Sequence, residues 1–244
     1  MWKGFVERVK TVSRIETLFV GGVETVGHPH AVNKLDQQWM TAAYKKAMPI
    51  PVFLTKSGLE GDDVGDKKHH GGPEKALFAY SVIHYDKWAE EYPDAEFKAG
   101  TNGENVSVTD MDETTVCIGD IYRVGEALVQ VSQPRRPCWK PGRRVKWIDF
   151  GQRIQDTGRT GWYFRVLEEG RIQQGDVFEL VERPCETWTI AKMNDVLYHH
   201  TDHPQLMRQL MDNDYTPPSW KEELSQLLEG EAVDHTPRLY GPNI

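Results

Sequence analysis

The chain has 244 residues, of which 39% are hydrophobic and 10% aromatic, enough to bury a sizeable core and to exclude disorder over its whole length. Acidic residues outnumber basic ones by 37 to 29, and the net charge of −8 argues against a general affinity for nucleic acid or anionic membranes. No apolar run approaches the roughly 18 residues that span a bilayer. The opening Met1-Trp-Lys-Gly-Phe-Val-Glu-Arg has no continuous apolar segment of the secretory kind. Three scattered cysteines do not make a disulfide framework, so the expectation is a reduced, cytoplasmic protein.

From residue 5 to about 181 the pattern predicts mainly short strands. Residues 77–80, 105–108 and 127–131 are runs of β-formers bounded by Gly, Pro, Asp and Asn. Residues 121–124, Gly125-Glu126 and the run from Ala127 predict a hairpin, and residues 162–167 with a Glu-Glu-Gly170 turn and Arg171-Ile172 predict another. One helix, capped by Ser81 and stopped by Pro93, is expected at residues 82–92. Many short strands with close turns favour a barrel or sandwich over a βαβ sheet.

After Pro184 the periodicity becomes helical. Ile190, Met193 and Leu197 share one face; a second helix capped by Asp202 carries Leu206, Met207, Leu210 and Met211; a third opens on the capping-box pattern Ser219-x-x-Glu222, with Leu224, Leu227 and Leu228 inward. Helices this short are marginal alone and should pack on one another and on the strands. The division expected is a β domain at 1–183, a three-helix module at 187–229 and a tail or strap at 230–244. His199 and His203 are four apart, but they lack the His-Glu-x-x-His pattern and a third ligand. They read as surface groups rather than a zinc site.

The most informative stretch is Gln133-Pro-Arg-Arg-Pro-Cys-Trp-Lys-Pro-Gly-Arg-Arg-Val-Lys146. Residues 135–146 hold six Lys or Arg and no acid, where the average of the chain would give between one and two basic residues. Cationic neighbours favour a thiolate over a thiol, and Pro134 and Pro137 stiffen the backbone that presents Cys138. Cys117, between Val116 and Ile118, reads as core, and Cys185 as part of the hinge before the helices. The bland alternative for the basic stretch is a solvated loop with an incidental cysteine. A second constellation is Lys56-Ser-Gly-Leu-Glu-Gly-Asp62 followed by Asp66-Lys-Lys-His-His-Gly-Gly-Pro-Glu-Lys75, where glycines free backbone N–H groups for an anion; the alternative is a polar hairpin turn. A third is Gly100-Thr-Asn-Gly-Glu-Asn105.

In this order, Gly58-Leu-Glu-Gly-Asp, His70-Gly-Gly-Pro-Glu-Lys-Ala, Gly103-Glu-Asn, Ile118-Gly-Asp, Gln133-Pro-Arg-x-Pro-Cys-Trp-Lys and Gly161-Trp-Tyr-Phe-Arg-Val-Leu resemble the MOSC domain, the molybdenum cofactor sulfurase C-terminal domain. Residues 188–228 resemble the helical module of its YiiM-like branch. One departure is Asn102-Gly103 before Glu104, where the family carries an aromatic–Gly pair. The resemblance implies a mainly β fold, a distorted closed β-barrel with a C-terminal three-helix module, that binds the molybdenum cofactor through Cys138. It also implies two-electron reduction of N-hydroxylated bases and related N–O compounds, with electrons from a partner reductase, expected to be a flavoprotein. Residues expected at the cofactor are Lys56, His69, His70, Gly71, Asn105, Arg135, Arg136 and Cys138; Asp62, Asp66, His69 and His70 are the candidates for proton delivery, with Asp66 and His70 taken as catalytic beside Cys138. No membrane or nucleic-acid partner is expected, and a homodimer is compatible with the sequence. Two other readings stay open: a sulfur carrier using a Cys138 persulfide, and a non-enzymatic anion or nucleic-acid binding module.

Overall fold

The structure is a computed structural model and describes residues 12–67 and 70–244; His69 and the first strand-like residues before Val12 lie outside them. Its body is an eight-stranded sheet. The strand order is Glu179–Glu182, Ile121–Val124, Ala127–Pro134, Trp162–Glu168, Leu77–Ser81, Val106–Thr109, Arg14–Val20 and Lys46–Ala47. The sheet curls until its ends meet. The Ile15 amide donates to the Asp176 carbonyl at 2.9 Å, the Gly175 amide to the Ile15 carbonyl at 2.8 Å, and the Phe178 amide to the Ser13 carbonyl at 2.9 Å. These bonds close a distorted barrel, with Lys46–Ala47 as a short outer flap on Arg14–Val20.

Neighbouring strands are antiparallel except Leu77–Ser81 and Val106–Thr109, which run parallel. A parallel pair needs a crossover, and the helix Ile83–Glu91 supplies it. Every residue of Leu77–Ser81 is buried because both faces are covered. Leu77 and Ala79 point into the barrel with Trp162 and Phe164, whereas Phe78 and Tyr80 join a second cluster with Tyr85, Trp88 and Phe150. The period-2 geometry of a strand thus feeds two cores at once.

Several local expectations fail. The residues after Glu168 do not fold back as a hairpin: Gly170–Ile172 pairs instead with Val52–Thr55 in a separate three-stranded sheet. Ser81 is the last residue of its strand, and Val82 starts the crossover helix without a side-chain cap. The helices Pro204–Asp212 and Pro218–Leu228 begin on proline after His203 and Pro217, with no cap bond from Asp202 or Ser219. The helix Trp139–Val145 occupies part of what reads as a basic loop, and a second helix, Phe150–Thr157, follows it.

The helices Ile190–Tyr198, Pro204–Asp212 and Pro218–Leu228 share their core with the barrel through Ile190, Met193, Leu197, Met207, Leu210, Trp220 and Leu224. The remaining residues form a strap: Thr236–Leu239 is a helical turn with Leu239 buried, and Gly241–Asn243 is a 3-10 turn. Gly241 adopts φ +49°, and a Cβ there would lie 2.3 Å from the Trp139 ring, so the strap seats directly on the residue after Cys138. Trp220 is 0% exposed and anchors the module. We expect Trp220→Ala to lower stability by about 3–5 kcal/mol in urea denaturation; an unchanged midpoint would show that the module is not packed on the barrel.

Candidate functional site

The long strand Ala127–Pro134 delivers the basic segment to one end of the barrel. The Arg135 amide donates to the Gly161 carbonyl at 3.0 Å, which fixes where the segment leaves the sheet. Cys138 follows in extended conformation, immediately before the helix Trp139–Val145. Arg135 is 4% exposed; its guanidinium lies 5.3 Å from the centroid of the Phe78 ring, and Nη2 donates to Cys138 Sγ at 3.8 Å. Its Nη1 is buried without a hydrogen-bond partner. A buried guanidinium donor left unpaired is costly in an apolar setting, so this position suits an acceptor brought by a ligand.

Two cavities, of about 320 Å³ and 610 Å³, meet at this point. Cys138, His70, Lys75, Lys140 and Tyr163 line both. The smaller carries Lys45, Lys67, Arg135 and Arg144 against Asp62 and Asp63, a strongly cationic wall in an acidic chain. Gly71 and Gly72 sit on it with φ of +78° and +83°, and a Cβ added at Gly72 would meet nothing within 4 Å. A Cβ at Gly71 would instead lie 3.1 Å from the Val64 side chain, so it is the Gly72 backbone that is open to a close-lying ligand. The larger cavity is walled by the strap and the helical module through Pro237, Arg238 and Ser219.

The structure sorts the expected site residues. Cys138 and His70 lie at the junction, Arg135 and Gly71 line the smaller cavity with Arg135 against the Cys138 sulfur, and Asp66 lines the larger cavity 3.9 Å from the Lys140 ammonium. Lys56 does not converge with them. It is exposed at a hairpin tip, where its amide donates to the Glu169 carboxylate at 2.7 Å, and Lys45 lines the cavity in its place, ion-paired to Asp62. Arg136 reaches the larger cavity but is held by the helical module: it ion-pairs with Glu223, donates to the Ser219 carbonyl at 2.9 Å and lies over Trp220. Asn105 lines the smaller cavity with an amide engaged in the fold; Oδ1 accepts from the Phe78 amide at 3.1 Å and Nδ2 donates to Asp62 at 2.8 Å.

The remaining cations of the segment are also tied down. Arg143 donates to Asn243 at 2.9 Å and to the Lys34 carbonyl at 2.8 Å, Arg144 donates to the Ala43 and Gly100 carbonyls, and Lys146 pairs with Asp36 at 2.7 Å. Both the solvated loop and the all-purpose anion patch are thereby replaced by a structural hub that leaves Arg135 against the thiol and Lys140 on the walls of both cavities. Cavity residues that are not among the expected site residues are Lys45, Arg238 and Asn102. The Asn102 amide is buried on the wall of the smaller cavity with neither polar atom paired. Only Asn102 carried a sequence signal, its place in the Gly100-to-Asn105 turn. Among the described residues, the histidine group able to converge on an ion is His200, Asp202 and His203, not the pair His199 and His203.

Burial and the nearby Lys140, Arg135 and Lys75 charges push His70 down to about 3, against a weaker upward pull from Asp66. The imidazole is neutral at physiological pH, so it serves as a hydrogen-bonding group rather than as a cation for an anion. Burial likewise pushes Tyr163 up to about 12, which keeps it a phenol. Because the folded value of His70 lies below the roughly 6.5 of an unfolded chain, the unfolded state takes up the proton first. The contribution of neutral His70 to stability is intact above about pH 6.5 and lost as pH falls toward 3. We expect His70→Gln to flatten the pH dependence of the urea midpoint in that window; identical slopes for both proteins would refute it.

Comparison with known proteins agrees with this architecture. The MOSC domain pattern matches residues 66–179, and the YiiM-like 3-alpha helix domain matches residues 188–231. Protein YiiM of Escherichia coli is 38% identical over 193 residues, which cover 78% of this chain and 86% of that protein. A protein of Gibberella moniliformis named as a reductase is 41% identical over 160 residues, 64% of this chain but 28% of its own length. The crystal structure of YiiM from Geobacillus stearothermophilus superposes with a TM-score of 0.73 at 34% identity, covering 88% of this chain and 99% of that one. No helix among the described residues is long and apolar enough to cross a membrane. A barrel closed around these motifs and capped by this helical module, at such identity over most of both chains, means that the chain belongs to the YiiM-like family of MOSC-domain proteins.

Proposed function

We propose that the protein is a cytoplasmic, molybdenum-cofactor-dependent reductase of N-hydroxylated compounds, N-hydroxylaminopurine-type bases among them, with Cys138 as the protein's ligand to the metal. The observation that carries the reading is the position of Cys138, beside Arg135 and at the junction of the two cavities. MOSC domains are associated with this cofactor, and the reductase-named fungal relative favours redox chemistry over the two alternatives.

The residues present fit the group. A sulfur donor is the soft ligand that such a centre takes. The unpaired Arg135 Nη1, the open Gly72 backbone and the cationic wall of the smaller cavity suit a phosphate and a polar heterocycle. When bound, the cofactor supplies the two-electron chemistry. The overall reaction is R–NHOH + 2 e⁻ + 2 H⁺ → R–NH₂ + H₂O: the N–O bond breaks, and one proton ends on nitrogen and one on the departing oxygen. A partner flavoprotein reductase supplies the electrons. The neutral imidazole of His70 relays a proton, taking one at one ring nitrogen as it gives one up at the other, and the Asp66–Lys140 pair on the wall of the larger cavity provides the charged proton source.

Protein purified from a host that makes the cofactor should carry molybdenum and reduce an N-hydroxylaminopurine when an electron donor is supplied. Cys138→Ala should lose both, and Arg135→Met should weaken metal retention by about 10–100-fold. Wild-type protein with neither molybdenum nor activity would overturn the assignment. A cyanide-labile sulfur adduct on Cys138 would instead support persulfide chemistry.

A further inference from the structure

We propose that the larger cavity is the substrate chamber, taking a planar N-oxygenated heterocycle, and that Ser219, Pro237 and Arg238 of the helical module and strap determine what enters it; this rests on the reductase reading above. The two cavities offer different chemistry on either side of one sulfur. The smaller joins open glycine backbone to a cationic wall, the features that suit a phosphate-bearing cofactor. The larger joins the Trp139 and Tyr163 rings to Gln133 and to the guanidiniums of Arg136 and Arg238. Aromatic faces take a flat ring, and a wall rich in fixed donors suits ring nitrogens and an N–O oxygen, which are acceptors.

The donors are fixed because the fold already holds them. Arg238 donates to the Pro137 carbonyl, next to Cys138, and to Gln155 at 2.7 Å, while Arg136 is held by Glu223 and Ser219. At about 610 Å³ the chamber falls within the roughly 300–1,000 Å³ of small-molecule sites. The strap is a seated wall rather than a loose end: Leu239 is buried, and Asn243 accepts from Arg143 at 2.9 Å. Ser219 and Pro237 are themselves exposed, so a bulky residue at either position fills the chamber without entering the core.

The test is Ser219→Trp and Pro237→Trp, one on each element, with three readouts: molybdenum per chain, KM for an N-hydroxylaminopurine, and equilibrium dialysis of that base against cofactor-free protein. A urea midpoint matching wild type qualifies each variant as folded. We expect base affinity to fall and KM to rise by about tenfold or more, with molybdenum per chain unchanged. Molybdenum falling in step with the bulk added, or base binding unchanged in both variants, would overturn the chamber assignment. The two readings separate cleanly. Variant-sensitive base binding by a wild-type protein without molybdenum keeps the chamber and removes the cofactor; molybdenum retained with insensitive binding does the reverse.

Discussion

The architecture of the cleft depends on a buried guanidinium held 3.8 Å from a thiol sulfur. Burying a charge is costly unless it is partnered, and the segment that follows Arg135 shows how that cost is met. Arg143 is placed over Trp39 and Trp139, Arg144 over Tyr44, and both donate to carbonyls from segments far away in sequence. Each contact pulls another part of the chain toward Cys138: residues 34–44, the Gly100 turn, the third helix of the module and the strap. The basic segment is therefore a hub. Its chemistry is concentrated on Arg135 and Lys140 because its other cations are committed to holding the walls in place.

What was legible in the sequence follows the range of the interactions involved. Strands such as 77–80 and 127–131 show themselves through local composition, and Cys138 through six cations within twelve residues. The same locality produced the errors. Lys56 lies in a glycine-rich stretch like those that cradle anions, yet the hairpin points it outward, and Lys45 takes the place beside Asp62 through a contact 17 residues long. Gly170–Ile172 has a turn before it and still pairs with Val52–Thr55, because a partner strand is chosen by the whole barrel. Arg136 and Arg238 illustrate the limit well: their roles rest on Glu223 and Pro137, 87 and 101 residues away.

Electrostatics reconcile an acidic chain with a cationic cleft. Acids such as Asp120 and Glu223 are spent inside the protein on individual arginines, Asp120 with Arg183 at 2.7 Å and Glu223 with Arg136. Other acids are exposed on the outer strand Glu179–Glu182. The smaller cavity keeps more cations than acids, and concave walls of low dielectric focus that field. Net charge thus reports on the outer surface, while the cleft attracts the opposite class of ligand.

Glu223 shows why the helical module belongs to the site rather than decorating it. One of its carboxylate oxygens takes Arg136 from the segment that carries Cys138; the other lies 3.7 Å from His235 of the strap. Barrel, helices and strap therefore share one largely buried carboxylate. Trp220, three residues earlier, supplies both the apolar anchor of the module and the ring beneath Arg136. Since Arg136 and Ser219 also line the larger cavity, the contacts that dock the module are the contacts that shape that wall. A barrel without the module would strip Arg136 of its ion-pair partner and ring contact and open the larger cavity to solvent on one side. The third helix and the strap are thus selected by the same constraint that governs the loop, the need to partner each buried charge around a single sulfur.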